Sequence, residues 1–87
     1  MRALFAEFVG TFALLSAILF TGSWLWIGAA LALIVYSIGG ISGGHVNPAV
    51  SFAMYMKGAL SMNEFIHYTL VQLAGAFAAL YTYRALA

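Results

Sequence analysis

The sequence contains no cysteine and very few charged residues, and each scarcity excludes a class of function. Without cysteine, the chain can form no disulfide, no thiolate metal site and no thiol redox centre. Only 6% of its 87 residues are charged, and a formal net charge of +1 is too small to suggest binding to nucleic acid. No nucleophile–base pair or cluster of metal ligands stands out, so we expect no enzyme activity, no metal and no cofactor.

Apolar residues dominate the chain instead. They make up 66% of the sequence, more than a soluble domain of this size could hide from water. Three long apolar segments span about residues 3–20, 24–41 and 63–83, each close to the roughly 20 residues needed to cross roughly 30 Å of hydrocarbon. We therefore predict a multi-pass integral membrane protein with three transmembrane helices.

The single proline lies in Asn47-Pro48-Ala49, inside a segment too polar at its start and too short to span a bilayer (residues 42–57). Asn47 is a favourable N-cap and Pro48 suits the first helical position, so a helix should start here. If it runs to Lys57, it rises about 15 Å, or half the hydrocarbon thickness. Irregular backbone is tolerated at membrane depth only against protein or a water-filled path. We predict a re-entrant coil and half-helix.

Several of these segments resemble one known family. The stretch Ile-Ser-Gly-Gly-His-Val-Asn-Pro-Ala-Val at residues 41–50 resembles the first re-entrant loop of the aquaporin/glycerol-facilitator (major intrinsic protein) family. Residues 6–11 resemble the start of that family's first helix, and residues 72–76 resemble part of its third. The resemblance implies an all-α, aquaporin-like half-fold over residues 1–87. Family members usually carry two such halves in one longer chain, so the pore would be completed by an inverted second copy.

Asn47 is the residue expected to contact a solute most directly. As an N-cap, its side-chain oxygen accepts a backbone hydrogen bond, which turns its NH₂ group toward the lumen beside the positive end of the half-helix. Gly43, Gly44 and His45 form a stretch with little side-chain bulk, whose backbone can be extended. We expect its successive carbonyl groups to line the pore.

Glu7 lies inside the first span, where a carboxyl group is costly and usually marks function. The resemblance implies that Glu7 and Gln72 brace the re-entrant loop from two sides. A proton-relay role for Glu7 is the rival hypothesis, but a relay would require a second intramembrane acid.

The narrow ring of the pore is located by the resemblance alone, at Ile27, Val35, Gly44 and Val50. In the family, an Arg follows the second Asn-Pro-Ala, whereas Val50 follows Ala49 here. Without that Arg, the ring should be wider and more apolar. This favours small neutral solutes such as glycerol, urea or ammonia alongside water.

We expect the partner to be a second copy in inverted orientation, with Asn47 of each copy at the pore midplane. The bias of basic residues between the two sides is weak, with Arg2 and Lys57 against Arg84, as dual topology requires. By analogy with the family's tetramers, four such dimers (eight chains) would assemble. The alternatives are a half-channel that needs a different, Arg-bearing partner, a secondary transporter, and a non-conducting membrane-packing subunit.

Overall fold

The computed structural model describes all 87 residues, which form four α-helices and no strand. The helices are α1 (Arg2–Thr21), α2 (Trp24–Ser42), α3 (Pro48–Lys57) and α4 (Met62–Leu86). α1, α2 and α4 are long and apolar enough to cross a membrane, whereas α3 has 10 residues. The predicted fold class, an all-helical membrane protein with three spans and one short helix, is confirmed.

The turns and caps explain where each helix begins and ends. α1 ends at Gly22, which has a left-handed conformation (φ 60°), and Ser23 caps α2 by accepting from the N–H of Trp26. α4 begins at a capping box, in which Ser61 and Glu64 accept from each other's backbone N–H groups. The four helices therefore follow local rules of helix termination, and α4 extends past the predicted end at Tyr83 to Leu86.

α1 is the central helix of the bundle and packs against both α4 and α2, while α3 packs on α4. The crossing of α1 and α4 is close because Gly75 lacks a side chain. A Cβ at that position would lie 2.6 Å from the carbonyl oxygen of Phe8. Only 14 of the 87 residues are buried, so most of the apolar surface faces outward.

Aromatic contacts show which helix ends lie together. Phe20 of α1 meets Tyr83 of α4 edge to face, with ring centroids 5.3 Å apart. At the opposite end of α4, Phe65 stacks on Tyr55, near the end of α3. We call the first end the hairpin end, because it includes the α1–α2 turn, and the second the loop end.

Candidate functional site

A buried carboxylate organises the segment between α2 and α3. Glu7 is fully buried, and its Oε2 accepts from the hydroxyl of Ser42 (2.6 Å) and the backbone N–H of His45 (3.0 Å). Its Oε1 accepts from the backbone N–H of Val46 (2.8 Å) and from Nε2 of Gln72 (2.9 Å). Each oxygen thus has two donors, which compensates the cost of removing the carboxyl group from water.

Ser51 connects this network to the first turn of α3. Its Oγ lies 2.9 Å from Nδ1 of His45 and accepts from Nε2 of Gln72, also at 2.9 Å. Gln72 lies ten residues into α4, about 15 Å from the start of that helix at 1.5 Å per residue. α3 therefore begins roughly halfway along the long helices rather than at their ends.

Tyr68 holds the other end of the same segment. Its hydroxyl donates to the backbone carbonyl of Ser42 (2.7 Å), and its ring lies against the His45 ring with centroids 5.1 Å apart. The hydroxyl of Ser42 also accepts from the N–H of Gly44 (3.2 Å). α4 thus contacts the end of α2 and His45 directly through Tyr68, and one turn further it contacts Glu7 and Ser51 through Gln72.

The loop backbone has three departures from ordinary geometry within four residues. Gly43 and Gly44 have φ of 93° and 63°, and Val46 has φ 45°, which is uncommon for a β-branched residue. A Cβ at Gly44 would also lie 3.2 Å from the Cα of Val35, so this position favours glycine for space as well as conformation. Val46 is almost completely buried, and its N–H is the group that Glu7 holds.

Asn47 caps α3 in the manner expected from the sequence. Its backbone is extended (φ −163°, ψ 125°), its Oδ1 accepts from the N–H of Ala49 (2.8 Å), and Pro48 occupies the first helical turn. The side-chain nitrogen of Asn47 donates to no group in the chain, and the residue is exposed. Two N–H donors therefore remain free beside the positive end of α3.

A groove of about 260 Å³ runs past this helix start. Its walls come from α1, α2, the loop and the first turn of α3: Leu14, Leu31, Val35, Gly44, His45, Val46, Asn47 and Val50. The side chains of α1 and α2 in this set are all apolar. The polar atoms come from the loop and from Asn47, so the polar groups of the groove all lie on one side, where they alternate with Val46 and Val50.

The structure brings most of the predicted pore residues into this groove, but not all of them. Val35, Gly44, His45, Asn47 and Val50 line it. Gly43 does not, because it is the C-cap of α2. Ile27 does not either, since it lies one turn beyond Leu31 toward the hairpin end. Contact of any of them with a solute stays a prediction.

Sequence reasoning missed several residues of the site. Ser42, Ser51 and Tyr68 complete the buried network, and Leu14 and Leu31 line the groove. A sequence signal for Tyr68 existed, because the buried residues Tyr68, Gln72, Gly75 and Ala79 follow one face of α4 at helical spacing. No comparable signal distinguishes Leu14 or Leu31 from the lipid-facing leucines around them.

The fold and the braced loop together define an integral membrane protein with a short helix that starts partway along its spans. The profile described as "Major intrinsic protein" matches residues 17–87. The chain belongs to the major intrinsic protein family.

Individual relatives agree with this assignment. The chain is 40% identical to glycerol uptake facilitator protein-like 6 of Lactiplantibacillus plantarum and 40% identical to aquaporin Z of Brucella melitensis, with 91% of this chain and 41% of each relative covered. It is 44% identical to the lens fiber major intrinsic protein of Gallus gallus over 66% of this chain and 22% of that protein. The chain thus spans less than half the length of these curated relatives.

Proposed function

We propose that this chain forms half of a passive transmembrane channel for water and small neutral solutes, completed by a second copy in inverted orientation. The observation that supports the proposal is the start of α3, at about half the length of the long helices, where Asn47 lines the groove and its NH₂ group donates to no group in the chain. The family supports the activity, since similar proteins are named aquaporin and glycerol uptake facilitator.

The geometry of Asn47 explains how such a site would favour neutral molecules. Its Oδ1 is held by the N–H of Ala49, so the amide plane is fixed and only donors face the lumen. A water or alcohol oxygen there must accept, which interrupts a chain of proton-donating waters. A cation meets the positive end of the α3 dipole instead of a ligand.

The remaining walls supply the passage on either side of Asn47. Carbonyl groups of the loop replace hydrogen bonds that a solute loses on leaving water, and Glu7 keeps the loop in place by holding the N–H groups of His45 and Val46. We assign Glu7 and Gln72 this bracing role. Leu14, Leu31, Val35 and Val50 accommodate apolar carbon, which suits glycerol-like solutes together with water.

A second half is needed because α3 is too short to line a whole pore, and we propose that an inverted copy supplies it. Its 10 residues rise about 15 Å, half of the roughly 30 Å of hydrocarbon. An inverted copy would place its own α3 in the other half, with the two Asn47 side chains at the midplane. Arg2 and Lys57 lie at the loop end and Arg84 at the hairpin end, a bias too small to impose one orientation. Four such dimers, eight chains, are the assembly we favour.

Osmotic swelling of proteoliposomes tests this proposal. We expect the purified chain alone to raise water and glycerol permeability above that of empty liposomes. Asn47→Asp should admit cations by replacing donors with a negative charge, which shifts the reversal potential in a salt gradient. Asn63→Asp, an exposed residue in the first turn of α4, is the matched control and should leave selectivity unchanged. No gain in permeability for the wild-type chain would contradict the proposal.

One observation favours a second candidate, in which the chain is a half-channel subunit with a different partner. Val50 stands where the family's second half carries Arg, and the chain covers 41% of its relatives' length. The mass of the purified chain in detergent separates the two candidates. Even-numbered homo-oligomers that conduct support the homodimer. A chain that conducts only with an Arg-bearing half supports the second candidate, and one that conducts with neither is a packing subunit.

A further inference from the structure

The side chain of His45 has one ring nitrogen that is bonded within the chain and one that is not. Nδ1 lies 2.9 Å from Oγ of Ser51. Nε2 has no hydrogen-bond partner in the chain, and it is not one of the buried polar atoms that lack a partner, so it reaches the accessible surface. A neutral imidazole carries its proton on only one nitrogen, so the bond to Ser51 decides what Nε2 offers to a neighbour.

The hydroxyl of Ser51 could donate to Nδ1 or accept from it, and Gln72 decides between the two. Nε2 of Gln72 lies 2.9 Å from Oε1 of Glu7 and 2.9 Å from Oγ of Ser51. An ionised carboxylate only accepts, and the opposite orientation of the amide would place two acceptor oxygens 2.9 Å apart. The two N–H groups of Gln72 therefore donate to Glu7 and Ser51, and the Ser51 oxygen accepts.

The hydroxyl proton of Ser51 consequently points to His45. Ser51 is fully buried, and its Oγ makes hydrogen bonds to no group other than Gln72 and His45. Since it accepts from Gln72, its own proton has Nδ1 as its acceptor, and the ring proton lies on Nε2. A doubly protonated ring would leave that hydroxyl proton without an acceptor, and it would place an unpaired cation on a residue that is only 8% exposed.

Nε2 lies beside an exposed part of the loop. A Cβ at Gly43, which is exposed, would lie 2.8 Å from Nε2. His45 also lines the groove, two positions before Asn47. We infer that His45 is held as the neutral tautomer with its proton on Nε2, and that this N–H is a second donor, in addition to Asn47, for the oxygen of water or a small alcohol.

The buried network thus sets the donor pattern of the loop as well as its position. The carboxylate of Glu7 orients the amide of Gln72, the amide orients the hydroxyl of Ser51, and the hydroxyl fixes the ring proton. All three are therefore positioning residues that act through the imidazole ring. The donor role rests on the proposed function, because a solute must enter the groove to meet this N–H.

Solid-state NMR of the full chain in liposomes tests the tautomer without relying on channel activity. The chain carries ¹⁵N-labelled histidine, and His67→Gln removes the only other histidine, an exposed residue of α4, so that a single ring is observed. We expect a directly bonded proton at Nε2 of His45 and none at Nδ1. A proton on Nδ1, alone or together with one on Nε2, would overturn the inference.

Gln72→Glu should reverse the tautomer while keeping the shape of the side chain. Two adjacent buried carboxyl groups retain one proton between them, because like charges so close together cannot both form. The new carboxyl group donates that proton to Glu7 and accepts from the Ser51 hydroxyl with its other oxygen, so Ser51 must accept from Nδ1–H. The matched control is Asn63→Asp, which adds a carboxyl group at an exposed position of α4 and should leave the proton on Nε2.

The outcome of this reversal is decisive in either direction. A ring proton that moves to Nδ1 supports the positioning roles, whereas a folded Gln72→Glu variant with the proton still on Nε2 overturns them. The wild-type spectrum tests the tautomer even if the variant does not fold.

Contact between the ring and a solute tests the donor role in the same samples. With ¹³C-labelled glycerol, we expect magnetisation transfer to the Nε2–H of His45. Leu31→Trp narrows the groove and should remove this transfer, whereas Leu33→Trp, at an exposed position of α2 that does not line the groove, should not. No transfer in the wild-type chain, or transfer that survives Leu31→Trp, would overturn the donor role.

Osmotic swelling of the same liposomes separates this inference from the proposed function. A chain that shows the glycerol contact in the groove but no rise in permeability contradicts the channel and supports the His45 donor. A chain that conducts glycerol without contact at Nε2–H supports the channel and overturns the donor.

Discussion

The loop end and the hairpin end of this molecule are held together by different forces. Every side-chain hydrogen bond that joins residues more than four positions apart lies between the loop end and the middle of the bundle, on Glu7, Ser51, Tyr68 and Gln72. The hairpin end has only local ones, and its helices meet through apolar contacts such as Phe20 with Tyr83. Regular helices satisfy their own backbone groups, so long-range polar contacts are needed only where the chain leaves the helix.

The strongest test of this contrast is removal of the Glu7 carboxylate. Glu7→Leu leaves three buried N–H groups without an acceptor, those of the His45 and Val46 backbone and one on Nε2 of Gln72. At about 1–3 kcal/mol for each unpaired group, the free energy of unfolding should fall by at least about 3 kcal/mol. SDS titration of the protein in mixed micelles measures the loss. Glu64→Gln is the control, because glutamine also serves in a capping box, and it should change little. Equal effects of the two variants would show that the network does not stabilise the loop end.

The next largest effect is expected where α1 and α4 cross. Gly75→Ala would put a Cβ 2.6 Å from a backbone oxygen of Phe8, so the helices must separate. We expect a loss of about 2 kcal/mol in the same titration, as for other overpacked sites. Gly28→Ala meets nothing within 4 Å and should be nearly neutral. If Gly75→Ala left the free energy of unfolding unchanged, the close approach of the α1 and α4 backbones would not contribute to stability.

Tyr68→Phe isolates one hydrogen bond of the loop end. The change removes the donor to the Ser42 carbonyl while keeping the ring against His45, and should cost about 1 kcal/mol of unfolding free energy. Tyr81→Phe, on an exposed part of the same helix, should cost nothing measurable. Comparable losses from both would show that the effect does not come from the bond to Ser42.

The smallest effect should come from the hairpin end. Phe20→Leu removes the edge-to-face contact with Tyr83 but keeps an apolar side chain, for a loss of about 0.5 kcal/mol. Phe77→Leu disturbs only a pair within α4 and serves as the control. If Phe20→Leu destabilised the protein as much as Tyr68→Phe, the contrast between the two ends would not hold.

The fold was largely predictable from the sequence because its signals are local. Long apolar runs predicted the three spans, and Asn47 with Pro48 predicted the start of the short helix. These signals depend on neighbours within a turn or two, and the capping box at Ser61 reinforces them at the start of the last helix.

The site was predictable only in part, since its bonds join residues far apart in the chain. Glu7 and Gln72 stood out as polar residues within apolar spans. They are 65 positions apart in the chain, however, and no local pattern predicts the hydrogen bond between them. Ser42 and Ser51 resemble ordinary serines near helix ends in the sequence. Only the folded structure shows that they bond to Glu7 and Gln72. Leu14 and Leu31 acquire their place in the groove only from the packing of α1 against α2, which no local pattern encodes.

The left-handed backbone of Val46 has a consequence for how this loop tolerates change. That conformation costs a non-glycine residue about 1–2 kcal/mol, whereas burying a valine side chain gains about 1.5–3 kcal/mol. The two free-energy terms nearly cancel, and the gain from burying the valine side chain is the larger. One of its methyl groups packs against Gly10. A glycine at position 46 would therefore remove the backbone strain but leave a small cavity against α1. The residues that precede α3 would then be less strained and less well packed.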